Sequence, residues 1–274
     1  MILEVDAGQT IRVPRTAAVV QHLTQHGIED GLARLGLRLE VRTAVGAVAE
    51  GREWIPALQR FRGAVIWENG LRPAFRRSEG LLLDPDPHDE LGYHLVLRTL
   101  EDDAIAACLR GAPVRLLPDS RVLDWDPALA ERLLAERGYA PADVLEPGRL
   151  VVAPAWRRTG VATAMCLAAF GLGRVTGHRL LWSTVGTGRS QDRMVADVGW
   201  QIRDEFGRRP APELLDTLCV ATAETMSVRA DLEPVVVAFS VLIGDLLHRA
   251  GNSANAATEG PRDLVTGVRS GGRP

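Results

Sequence analysis

The chain has 274 residues, enough for one large domain or two small ones, and 46% apolar against 24% charged residues is the balance of a globular protein with a sizeable core. A formal net charge of −3 excludes a global field aimed at nucleic acid or membrane. The 32 basic residues are all arginine, which excludes a Schiff-base lysine.

The opening MILEVDAGQTIRVPR lacks the basic-then-apolar order of a signal peptide. The longest apolar stretch, residues 234–243, is far short of a membrane span, so a cytoplasmic protein is expected. Residues 16–35 carry helical spacing, weakened by Gly27 and Gly31. Residues 37–43 alternate as a strand. Residues 52–68 read as an amphipathic helix that ends on a left-handed cap near Asn69-Gly70. A turn-rich acidic loop, LDPDPHD, covers residues 83–89. Strands near 92–99 and 103–110 form a hairpin, and residues 127–138 form a helix capped by Asp126.

A compact unit follows, with a short strand over 149–153, a loop to Ala162, a helix over 163–175 and a strand over 179–185. Residues 190–201 read as helix, 216–223 as strand and 233–249 as a strongly apolar helix. That last helix packs in the core, lines an acyl pocket or forms a dimer seam. The order gives a mixed α/β chain on one central sheet. Residues 1–250 form a single domain, and 251–274, rich in Gly, Ser, Asn and Arg, form a disordered tail. Cys108, Cys166 and Cys219 are far apart in apolar runs and read as buried free thiols. No C-x-x-C or His-rich cluster suggests zinc, so no metal is expected.

The segment GRLVVAPAWRRTGVATAMCLAAF is the most informative. A strand enters a loop with Arg157, Gly160 and Ala162, and a helix starts directly after it. The first N–H groups of a helix lack partners within it, and its dipole favours an anion there. Gly160 permits close backbone approach and Ala162 leaves room, which together make a pyrophosphate cradle. The G-x-G-x-x-G spacing of a nicotinamide fingerprint does not occur here.

The segment resembles motif A of the GNAT superfamily, Arg/Gln-x-x-Gly-x-Gly/Ala, here Arg157-x-x-Gly160-x-Ala162. The resemblance implies a GNAT fold, a central mixed twisted sheet flanked by helices, with extra N- and C-terminal helices. It also implies a coenzyme A thioester, or the phosphopantetheine arm of an acyl carrier protein, held on the loop and the preceding strand. The residues concerned are Val151, Val152, Ala153, Arg157, Arg158, Thr159, Gly160, Val161, Ala162 and Thr163, with Arg193 and Arg189 near the donor mouth. A series in order, LQRFRGAVIWENGLRP, Asp86-x-x-Asp89, His94-Leu95-Val96, Ala107-Cys108-Leu109-Arg110 and Glu146-x-x-Arg149, resembles the acyl-homoserine-lactone synthases and N-acyl amino acid synthases. The likeness spans about residues 50–200; Arg115 in RLLP competes with Arg110 for its slot.

Attack of an amine on a thioester needs a base, an oxyanion donor and a way to stabilise the thiolate. Glu146 is the first base candidate, or it forms a surface salt bridge with Arg149. Asp86 and Asp89 orient the acceptor amine or its partner arginine, or belong to a solvated acidic loop. Arg110 and Arg149 bind an acceptor carboxylate, or pair with those acids. His94, Trp182 and Trp200 read as core. Backbone N–H groups near Val152 supply the oxyanion donor by the family's splayed strand. The tyrosine that many GNAT enzymes use as acid is absent: Val195 stands where it would sit, so Ser183, Thr184 or Ser190 would hydrogen-bond the thiolate. The expected activity is N-acylation of a small molecule or amino acid, with a carrier protein and a homodimer as further partners. A non-catalytic donor-binding module and a protein or peptide N-acyltransferase are the other readings.

Overall fold

The computed structural model describes residues 15–44, 53–76 and 80–258. Chain order runs α1 (Arg15–His26), α2 (Ile28–Arg34), β1 (Leu37–Thr43), α3 (Trp54–Trp67), β2 (Tyr93–Thr99), β3 (Ile105–Pro113), α4 (Pro127–Arg137), β4 (Val144–Val152), α5 (Val161–Val175), β5 (Leu180–Gly186), α6 (Gln191–Asp197), β6 (Gln201–Ile202), β7 (Arg208–Ala211), β8 (Asp216–Glu224) and α7 (Glu233–Thr258). The eight strands form one sheet in the order β1-β2-β3-β4-β5-β8-β6, with β7 also on β8. The neighbours from β1 to β4 pair antiparallel, β4 and β5 pair parallel, and β8 returns antiparallel on β5.

Strand alternation sorts the core onto two faces. Leu95, Leu97, Leu109, Leu145 and Leu181 face α1, α2, α5 and α7. Val144, Leu180, Trp182 and Val220 face α4, while Val96, Cys108 and Val151 face α3. Helix α7 buries Val235, Val236, Phe239 and Ile243 in the core, while Val237 and Val241 of the same apolar run are exposed. All three cysteines are buried and free.

Several elements differ from the sequence expectation. The helix over 16–35 breaks at Gly27, which takes φ 75. The cap of α3 places a left-handed conformation on Glu68, φ 48, ahead of the expected one, and Gly70 of the expected Asn69-Gly70 pair is left-handed as well, φ 94. Strand β3 continues through Gly111 and Ala112 to Pro113, and β4 begins at Val144 rather than residue 149. Helix α5 begins at Val161 and α6 stops at Asp197. Helix α7 continues past Gly251 to Thr258; residues 259–274 of the expected tail lie outside the described residues.

Helix α3 sits directly on the acidic loop. A Cβ on Gly63 would stand 2.4 Å from the Leu83 nitrogen, and Asp84 N donates to Gln59 O at 3.1 Å. Gly63→Ala is therefore expected to destabilise the protein by about 1–3 kcal/mol. Denaturant unfolding checks this, and an unchanged midpoint would mean that the loop is not seated on α3.

Candidate functional site

Strands β4 and β5 pair only at Val144↔Leu180 and Leu145↔Leu181, then separate. Pro147 explains the parting. Ser183 Oγ donates to Pro147 O at 2.6 Å, so that carbonyl faces β5. The amide on the same side would continue the ladder, and proline has no N–H to give. Two residues on, the β3–β4 register shifts between Cys108↔Val151 and Arg110↔Gly148, and Arg149 takes φ 55. This is a β-bulge with a left-handed arginine, a conformation that costs roughly 1–2 kcal/mol for an L-residue. It aims Arg149 Nε at Asp86 Oδ2, 2.7 Å, and Asp84 Oδ2, 3.3 Å.

Past β4, Pro154–Trp156 make a single tight turn, Arg158 takes φ 66, Gly160 takes φ 91, and α5 starts at Val161. Amides at successive left-handed turns before a helix make an anion-binding concavity. Gly160 O accepts from Ala164 N at 3.0 Å, which leaves Val161, Ala162 and Thr163 as the first-turn amides without helical partners. Gly160 differs from the expectation in one respect. A Cβ there would stand 1.9 Å from Val19 Cγ2 of α1, so its smallness admits α1 rather than a ligand. Arg158 and Thr159 are exposed, with Thr159 Oγ1 donating to Trp156 O at 2.7 Å. Arg193 is exposed on α6, and among the described residues no ion pair draws it to the loop. Arg157 and Arg189 do come together, both on Glu68: Arg157 Nη1 at 2.9 Å, Arg189 Nη1 and Nη2 at 3.0 and 2.8 Å.

The acidic loop is not solvated. Asp84, Asp86 and Asp89 are buried, and so is Arg62 of α3. Arg62 reaches Asp84 Oδ2 at 2.9 Å and Asp89 Oδ1 and Oδ2 at 2.9 and 2.5 Å, and Gln59 Nε2 adds a bond to Asp89 at 3.1 Å. Arg110 Nη1 stands 2.5 Å from Asp86 Oδ2, although neither its Nε nor its Nη1 makes a well-directed hydrogen bond. Three carboxylates thus meet three guanidiniums, the compensation that buried charges require. Burial opposes ionisation of Asp86, but Arg110 and Arg149 outweigh it and hold this carboxyl well below the usual range. Asp89 is wholly enclosed by this network. Of the two arginines that compete for the slot, Arg115 lies past the end of β3 and is exposed, whereas Arg110 lies within β3 and is buried. His94 is structural: its Nε2 meets Asp89 O at 2.9 Å, its ring packs edge-on to Trp54, and burial lowers its pKa to about 4.

Glu146 lies within β4, one residue past the last β4–β5 pair, and is 2% exposed. It does not pair with Arg149, whose partners are Asp84 and Asp86. Ser120 Oγ donates to Glu146 Oε2 at 2.6 Å, and the adjacent Asp119 holds His88 Nε2 at 2.6 Å. Burial raises the Glu146 pKa; the Ser120 hydrogen bond and Arg110 oppose it. A cleft of about 210 Å³ lies against the acidic loop, with Phe75, Leu83, Asp84, Arg121, Arg149 and Leu214 among its walls, and Glu146 is not one of its lining residues. Val195 is buried in the core, and the Tyr139 hydroxyl is spent on Glu224 Oε2 at 2.6 Å. Among the described residues no group of three or more His, Cys, Asp or Glu is placed to hold a metal.

Sequence reasoning missed Arg62, Asp84, Ser120 and Glu68. Arg62 lies inside LQRFRGAVIW, where an arginine on an apolar helix was the available signal. Ser120 and Glu68 carry no local signal.

No protein-family model and no curated protein matches the chain. Solved structures do, 177 chains in all. TofI, solved in a ternary complex with an inhibitor and MTA, is 22% identical with a TM-score of 0.50, over 73% of this chain and 99% of that one. The CoA-dependent acyl-homoserine lactone synthase BjaI, solved with MTA, is 18% identical with a TM-score of 0.49, over 79% of this chain and 90% of that one. An IAA acetyltransferase from Bacillus cereus ATCC 14579 is 10% identical with a TM-score of 0.37, over 69% of this chain and 99% of that one. The chain has the GNAT fold, an open mixed sheet with helices on both faces.

Proposed function

We propose that the chain is a GNAT-type N-acyltransferase. It moves an acyl group from a coenzyme A or acyl-carrier-protein thioester to the amine of a small molecule or amino acid. One observation carries this reading: the β4–β5 ladder ends at Leu145↔Leu181, and a buried carboxylate, Glu146, follows at that parting. A slot between two strands suits an extended pantetheine arm, and the loop at the end of β4 suits its phosphates.

The amine nitrogen attacks the thioester carbonyl carbon. The C–N bond forms, the C–S bond breaks, and Glu146 takes the ammonium proton. The carbonyl oxygen gathers charge and needs a donor. Ala153 N donates to Ala106 O at 2.9 Å, towards β3. By strand alternation the neighbouring Val152 N–H faces the slot, and it serves as that donor. Ser183, which caps Pro147, fixes the width of the slot at its closed end. The sulfur departs as thiolate, a leaving group that needs no tyrosine. Arg149 and Arg110 hold the acidic loop against the cleft where the acceptor sits, with Asp86 between them.

Coenzyme A binding, followed by calorimetry, tests the donor half. Arg157→Glu with Arg158→Glu is expected to weaken it at least tenfold, since two anionic groups then replace two cations of the loop. Unchanged affinity would remove the loop from the donor site. A thiol-release screen of amines with acyl-coenzyme A and acyl-carrier donors tests the transfer itself.

A further inference from the structure

Glu68 spans the two sides of the slot. Arg157 follows β4, Arg189 follows β5, and one carboxylate holds both. We propose that Glu68 is a displaceable clasp across the donor slot, an internal anion that occupies Arg157 and Arg189 in the free protein and yields them to a phosphate of the arriving donor. This rests on the donor site proposed above.

Three further observations support displacement over a permanent brace. The pairs are open to water: Arg157 and Arg189 side chains are 37% and 43% exposed and Glu68 is 24% exposed. Such pairs are screened and weak, unlike the Arg62 network. The backbone of Glu68 is left-handed, φ 48 and ψ 56, a conformation that disfavours an L-residue, so release of the carboxylate also frees this turn to relax. Arg72 adds a third guanidinium at 3.5 Å from Glu68 Oε2 while anchored on Leu214 O at 2.7 Å. Three cations around one carboxylate leave the mouth positive even when clasped. Hydrogen bonds from Arg189 first, and then from Arg157 against some burial, pull the Glu68 pKa down to about 2. Protonation therefore does not open the clasp at working pH; a competing anion does.

Calorimetric titration of the full chain with coenzyme A tests the clasp. Glu68→Gln removes the charge at nearly constant shape, and Glu68→Asn does so with a residue that tolerates the left-handed turn. Both are expected to bind coenzyme A roughly three- to tenfold more tightly than the unsubstituted chain. Glu131→Gln, an equal charge change at an exposed position on α4, controls for long-range electrostatics and is expected to leave affinity unchanged. Equal or weaker binding by either Glu68 variant overturns the clasp, as does matching tightening by Glu131→Gln. If coenzyme A binds and the Arg157/Arg158 double variant loses it while the Glu68 variants do not tighten, the clasp alone fails. If neither coenzyme A nor a holo acyl carrier protein binds any of these proteins, the donor reading fails and the clasp with it.

Discussion

Glu146→Ala is expected to lower turnover by about 10²–10⁴-fold with coenzyme A affinity unchanged. The carboxylate is the group at the parting of β4 and β5 that can take a proton without belonging to the Arg62, Arg110 and Arg149 ion pairs. Its environment also sets a pH signature. A base works deprotonated, so the rate falls as pH drops through its pKa. Burial raises that pKa, so the acid limb lies above the ordinary carboxylate range. Ser120 donates to the carboxylate and favours the ionised form. Ser120→Ala is thus expected to shift the acid limb to still higher pH, while the plateau rate falls less than in Glu146→Ala. A purely structural Ser120 would lower the amplitude and leave the limb where it was. Wild-type turnover in Glu146→Ala would take this residue out of the reaction.

Arg62→Leu is expected to cost about 3–5 kcal/mol of stability, the largest loss for any single site described. The substitution leaves Asp84 and Asp89 buried without the cation that compensates them. The double variant Arg62→Leu/Asp89→Leu removes one of those stranded charges and is expected to be more stable than Arg62→Leu alone. Urea unfolding measures both. A double variant no better than the single one would mean that packing, not charge, is what Arg62 supplies.

The two halves of the site differ in how far they could be read from sequence. The proposed donor loop is local: strand, Arg157, Gly160, Ala162 and helix follow one another within a dozen residues, and the physics of a helix start needs no distant partner. The acidic loop is the opposite case. LDPDPHD has the composition of a solvated turn, and only Arg62, 22 residues before Asp84 and 27 before Asp89, makes it an interior network. Glu146 is legible as a candidate, but its strand is not, because Pro147 is a residue that strand rules keep out of a central strand. Here that proline is what parts the sheet. Strand β7, Arg208–Ala211, escaped for a related reason: it is short, polar and carries Pro210 at a sheet margin. Serine at 120 and glutamate at 68 act across 26 and 89 residues, distances over which residue type says nothing.

The cations of the acidic-loop network and of the proposed donor loop are guanidiniums: Arg62, Arg110, Arg149, Arg157 and Arg189. A guanidinium keeps its proton throughout the range in which enzymes are assayed. The buried thiols of Cys108 and Cys166 are likewise pushed up to about 12 by burial. On the alkaline side, then, these groups hold a constant charge, while the acceptor must shed its own proton to become a nucleophile. The upper inflection of a rate–pH curve becomes a property of the acceptor rather than of the protein. Measured with a series of amines, that inflection would follow each amine's basicity, and the protein would act as a fixed background against which its substrates can be told apart.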